Sequence, residues 1–266
     1  MSLSTDVDAD LARDRGWVRE GTRLLAGALD GLPDAGLAGP SVLPGWTRAH
    51  VVAHVAANAD ALRNLVAWAA TGVPTPMYAS PEQRSADIER GAGLPADRLR
   101  TWVTESADRL AADMDGLDSV QWRAEVVTAQ GRTVPATQTV WMRSREVLIH
   151  AVDLDAGIAM ADLPQDFLVA LATEIAAKRA GGGSAVSVTA RDTGDRFEIA
   201  GDGAPVPVTG PLAGVAGWLA GRPHSGVRAG TATSPTWVPG SNAGDPAPHD
   251  PDSGSGPTPP KENWHE

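Results

Sequence analysis

Glu146 and His150 stand four residues apart in WMRSREVLIHAVDLD, residues 141–155. The stretch has no Pro or Gly, and Trp141, Val147, Leu148 and Val152 recur at helical spacing. On a helix, residues four apart point to one side, so this segment presents a carboxylate and an imidazole together. His50 and His54 repeat the spacing in WTRAHVVAHVAANAD, residues 46–60. Two such helices, face to face, supply a His–Glu–His set for a divalent cation with one coordination position left open. Spacing does not choose between His50 and His54, because both lie on the same side of their helix. Each pair also has a plainer reading. Glu146 and His150 form a helix-stabilising pair worth about 0.2–0.5 kcal/mol, and the two histidines are ordinary core or surface residues.

Positioning such a set requires helices that pack. Residues 7–31 read as an amphipathic helix with Leu11, Trp17, Val18, Leu24, Leu25 and Leu29 inward, ended by Gly31 and Pro33. Thr47 is a good N-cap for a second helix running to about Thr71, and Trp46 before it is placed to staple onto Val51. A Pro-rich connection with the sole tyrosine, Tyr78, leads to a short helix over roughly 81–91, opened by Ser80 and Pro81. Residues 95–116 form another amphipathic helix, with Leu99, Trp102, Val103, Ala107 and Leu110 inward. The β-branched, polar segment 119–139 reads as a hairpin or extended loop turning at Gln130–Gly131, and Pro135 is expected to open the helix of Glu146 and His150. Four long helices suit an antiparallel bundle, a common holder of metals.

After Asp155 the pattern changes. A helix over about 164–179 ends at three glycines, and strand-like AVSVTARD, RFEIAG and PVPVTG precede a helix running into Arg222. The fold class is therefore α+β. Residues 1–157 form a helical bundle, 158–229 a small α/β domain, and 230–266 a tail rich in Gly, Pro and Ser. The tail's composition buries too little apolar surface to offset the entropy of ordering, so it is expected to be disordered and dispensable.

Composition narrows the function further. A formal net charge of −11 and the lack of a basic run argue against nucleic-acid binding. No run approaches the ~18 apolar residues of a membrane span, and the acidic, polar N-terminus is unlike a signal peptide. A cytoplasmic protein, with the monomer favoured, is the expectation. There are no cysteines, which removes thiolate ligands and a cysteine nucleophile, so any thiol chemistry must use a thiol carried by a small molecule.

The two metal motifs, with NLVAWAATGVPTPMYASPE, TAQGRTVPATQTVWMRSRE and LAGRPHSGV, resemble the mycothiol-dependent maleylpyruvate isomerases of the DinB-like four-helix metalloprotein superfamily. The resemblance covers most of residues 10–228 and stops before the tail. It implies a DinB-like bundle, a Zn2+ held by His54, Glu146 and His150, mycothiol as the thiol, and Arg222 as a functional arginine. On this resemblance His54 is the ligand and His50 a neighbour of the site or a surface residue. The implied reaction is isomerisation of maleylpyruvate to fumarylpyruvate in gentisate breakdown. The metal motifs alone fit equally a mycothiol S-transferase, which releases a conjugate. A non-catalytic, metal-stabilised binding module is the alternative from another class. Tyr78, Arg84, Gln130, Arg132 and Arg143 are further candidates for the substrate or cofactor pocket. Each also reads as an ordinary loop or surface residue, as Arg222 does at a helix end.

Overall fold

The structure is a computed structural model in which residues 2–230 are described. The segment from residue 231 on, with most of the expected tail and with His249 and His265, lies outside the described residues. Contacts divide the chain into two compact units, Met1–Ile158 and Ala159–Glu266.

The first unit is built on four long helices, α1 (Ser2–Asp30), α2 (Arg48–Thr71), α4 (Ala96–Asp115) and α5 (Gln138–Asp153), with the shorter α3 (Pro81–Ala92). α1 packs on α5, and α2 is the hub, meeting α3, α4 and α5. Its position as hub explains why α2 carries little amphipathic contrast. Nearly every side chain from Val51 to Leu62 is buried, and the many alanines among them allow neighbours close on several sides. α4 is peripheral and keeps a clear apolar stripe of Leu99, Val103 and Leu110.

Two glycines permit close approach beside the candidate ligands. A Cβ on Gly21 of α1 would come within 2.5 Å of the Val147 side chain, next to Glu146. One on Gly91 of α3 would come within 2.8 Å of the Ala53 Cβ, next to His54. Larger residues at either position push a neighbouring helix away from the elements that carry the ligands.

The polar segment before α5 is a hairpin of β1 (Glu125–Val127) and β2 (Thr133–Pro135), with Val126 opposite Val134. Gly131 takes a positive φ of 78° in the turn, as the Gln-Gly pair predicts. Pro135 does not open the following helix; it ends β2, and α5 starts at Gln138. The reason is in the backbone. The N–H groups of Ala136 and Thr137 donate to Ala124 O (2.9 Å) and Trp122 O (3.1 Å), which extends the hairpin and delays the first helical turn.

The second unit holds α6 (Gln165–Lys178), α7 (Leu212–Leu219) and a four-stranded sheet of β3 (Ser184–Ala190), β4 (Arg196–Ile199), β5 (Asp202–Gly210) and β6 (Arg228–Ala229). The strand order is β4-β3-β5-β6, with β3 and β5 parallel and the outer pairs antiparallel. Val186, Val188, Phe197, Ile199, Val206 and Val208 are buried at alternate positions, while Ser187, Glu198 and Pro207 between them are not. α7 ends in a Schellman motif. Gly221 sits at φ 65°, its N–H donates to Trp218 O, and the Arg222 N–H donates to Gly217 O at 2.8 Å. Among the described residues no helix is long and apolar enough to cross a membrane.

Candidate metal centre

α5 is buried along almost its whole length, yet one of its stripes is polar. Thr139, Arg143, Glu146, His150 and Asp153 follow steps of four, three, four and three residues, and each is at most 4% exposed. A polar stripe inside a bundle must find partners, because an unmet buried polar group costs about 1–3 kcal/mol. The partners come from α2, from the stripe itself and, for the Thr139 hydroxyl, from the Ala136 carbonyl just before α5.

The Glu146 Oε2 atom lies 2.9 Å from His54 Nε2 and 3.3 Å from His150 Nε2. The two imidazole rings stand 4.9 Å apart, edge to face. His54 is 1% exposed and His150 2%. One donor atom from each of His54, Glu146 and His150 lies within 4.8 Å of the other two. A tetrahedral ion with bonds of ~2.0–2.1 Å separates its ligand atoms by about 3.3 Å, so the set matches a small divalent cation.

The other nitrogen of His150 sharpens this fit. His150 Nδ1 lies 2.9 Å from Asp153 Oδ2, and Asp153 is fully buried. A proton on Nδ1 donated to this carboxylate leaves the Nε2 lone pair facing the Glu146 oxygen. Two acceptors facing each other at 3.3 Å call for a cation between them, a metal ion or, in a doubly protonated imidazole, the proton itself. This carboxylate–histidine arrangement is the support that metal-ligating imidazoles ordinarily have. Asp153 was not among the residues singled out from the sequence, although it stands three after His150 on the same stripe.

His50 has a different job. The Thr47 N–H donates to His50 Nδ1 at 3.2 Å, and the Thr47 hydroxyl lies 2.7 Å from the same nitrogen. His50 therefore closes a capping box at the start of α2, and its Nε2 sits 3.4 Å from Glu89. The buried Trp46 ring lies 6.1 Å from the His50 ring and 5.7 Å from the His54 ring.

The remaining candidates scatter. The Arg84 guanidinium on α3 comes 3.4 Å from His54 Nδ1. Tyr78 lines a cleft of about 640 Å³ with Asp60, Asn64 and Trp102. Gln130 and Arg132 are exposed at the hairpin turn. Arg143 is buried, and its Nη1 donates to Val55 O (2.8 Å) and Asn58 Oδ1 (3.0 Å) of α2. Burial pushes its guanidinium down to about 10, opposed by the charges of Glu146 and then Asp60, so it remains a cation at neutral pH. In the second unit Arg222 is half-buried and donates from Nη1 to Ala220 O at 3.2 Å, against the carbonyl end of its own helix.

Fold and site define a DinB-like helical protein with a buried His–Glu–His centre, joined to a small α/β unit. Residues 18–155 match the family described as the mycothiol maleylpyruvate isomerase N-terminal domain, and the chain belongs to that family. Two crystal structures of a mycothiol-dependent maleylpyruvate isomerase, one of them a histidine-to-alanine mutant, are similar to it. Each is 42% identical, covers 85% of this chain and 95% of its own, and superposes with a TM-score of 0.80 for the mutant and 0.81 for the other. A search among curated proteins gave no match.

Proposed function

We propose that the chain isomerises maleylpyruvate to fumarylpyruvate with mycothiol as co-substrate. The observation that carries this reading is the 42% identity to the isomerase structures over 85% of the chain. The converging His54, Glu146 and His150 are the proposed centre of the chemistry, and we assign Zn2+ to it as a cation that histidine and carboxylate donors accommodate. When bound, that cation supplies a positive charge that favours the thiolate form of a thiol at neutral pH.

The chain's own residues hold and orient. His54, Glu146 and His150 fix one side of the centre, and Asp153 holds the His150 tautomer. The thiolate of mycothiol adds to one carbon of the cis double bond, and the electron pair moves onto the conjugated carbonyl. The former double bond turns, the pair returns, and the carbon–sulfur bond breaks to release the trans isomer and the thiolate. No net proton or electron is consumed, and the absence of cysteine is consistent with a thiol supplied from outside.

The purified protein should convert maleylpyruvate to fumarylpyruvate only when mycothiol is added, with the thiol recovered unchanged. Consumption of mycothiol into a stable conjugate would instead identify an S-transferase. Loss of fold together with metal on chelation, with no turnover, would identify a metal-stabilised binding module.

Arg222 is proposed to receive a substrate carboxylate, because a guanidinium binds two oxygens at once and maleylpyruvate is a dicarboxylate. Arg222→Lys keeps the charge and loses the fork. We expect kcat/KM to fall about ten-fold or more, the loss of one charge-assisted hydrogen bond, with metal content unchanged. Wild-type kcat/KM in that variant removes Arg222 from the substrate site.

A further inference from the structure

Arg143 is an unusual cation. It is 1% exposed, and among the described residues it forms no ion pair. Its Nη1 is held by two neutral oxygens of α2, Val55 O and Asn58 Oδ1, and its Nη2 is buried with no hydrogen-bond partner. A buried guanidinium held only by neutral groups costs several kcal/mol to desolvate, and an apolar side chain of similar volume would commonly pack there more stably. Stability is therefore a poor reason for a charge at this position.

Its place suggests a better one. Arg143 is three residues before Glu146 on the polar stripe, and its partners Val55 and Asn58 follow His54 by one residue and by four. The guanidinium thus occupies the bundle layer next to the His54–Glu146–His150 set, and Glu146 is the strongest charge acting on it. The buried charges on this stripe can be counted; the other buried charge of α5, Arg145, has the same sign as Arg143 and lies over the Trp141 ring, off the stripe. Glu146 and Asp153 balance a divalent cation, and Arg143 then leaves one positive charge over. Nearby charges do not reverse this. Arg84, half-buried beside His54, has the same sign. Asp60 is 39% exposed and already accepts from the Trp102 Nε1 atom.

We infer that Arg143 biases the open ligand position of the His54–Glu146–His150 centre toward anions over neutral ligands, and so toward a thiolate. It touches neither thiol nor substrate; it is a positioning residue acting through the local field. The inference rests on the metal reading above, but not on maleylpyruvate being the substrate.

The test is titration of the full-length, Co2+-loaded protein with thiocyanate and, separately, with imidazole, read by the visible cobalt spectrum. R143M should weaken thiocyanate about ten-fold or more, the order expected for one unit charge a helical turn away at an effective dielectric near 20. Its imidazole affinity should change by less than about two-fold, since that ligand is neutral. R143K keeps the charge only while its buried lysine is protonated, so it should approach the wild-type ratio, measured at the same pH, as the pH is lowered. An unchanged ratio in R143M, or a ratio in R143K that stays at the R143M value at every pH, overturns the inference. A protein that binds Co2+ and shows the preference but leaves maleylpyruvate untouched keeps the inference and loses the proposed reaction.

Discussion

Alanine in place of His54, Glu146 or His150 is expected to empty the divalent metal site and to lower maleylpyruvate turnover by roughly a thousand-fold or more, since the cation's charge stabilisation is worth several kcal/mol. The three donor atoms share one buried point, so losing any one leaves two ligands, too few for a stable site. Glu146→Gln is the sharper variant. It keeps the side-chain shape between His54 and His150 but removes the negative charge that would hold a cation there. His50→Ala is the control. His50 caps α2 through Thr47, so this variant should lose about 1 kcal/mol of stability and keep its metal. Metal analysis of the five purified variants, beside their turnover, decides the matter. Full metal content in His54→Ala, with loss in His50→Ala, would transfer the ligand role to His50 and refute the centre described here.

Much of this centre was legible in the sequence. Glu146 and His150 share a helix face at any reading, and the four long amphipathic patterns predict the bundle that brings α2 to α5. His50 and His54 looked equivalent, because helical spacing carries no information about which of them faces the partner helix. Yet a local signal was present: with Thr47 as N-cap, His50 falls at the third helical position, where a side chain turns back to the cap. Asp153 was harder. Asp153 and Asp155 both follow His150 in VDLD, but only Asp153 continues the stripe, and it is fully buried. Asp155 lies past the end of α5, exposed, with φ 50° and a carboxylate facing Arg48. Arg143 lies on that stripe too, but sequence does not report that its partners are neutral. The start of α5 was misplaced because Pro135 favours a first helical turn and a strand end alike. Only the pairing of Ala136 and Thr137 with the preceding strand decides.

Asp153 should be the most consequential residue outside the three proposed ligands. Its carboxylate fixes which His150 nitrogen carries the proton, and so which one faces the metal position. Asp153→Ala removes that acceptor. His150 is then free to turn or to place its proton on Nε2, where a metal cannot bind, and metal affinity is expected to fall by about 10–100-fold. Asp153→Asn separates two contributions, since its amide oxygen can still accept from Nδ1 but brings no charge. It should lie between wild type and Asp153→Ala. A third outcome has a distinct cause: if the amide nitrogen turns toward Nδ1 it donates, forces the proton to Nε2, and makes the asparagine variant as weak as alanine. Competition with a chelator measures all three affinities without any substrate, so the result does not depend on the reaction assigned. Circular dichroism should find the fold intact in both variants, because the lost buried hydrogen bond costs about 1–3 kcal/mol, a part of the ~5–15 kcal/mol that holds a domain folded. Wild-type metal affinity in Asp153→Ala would mean that the packing around His150, from Trp46 and the His54 ring outward, holds the imidazole unaided.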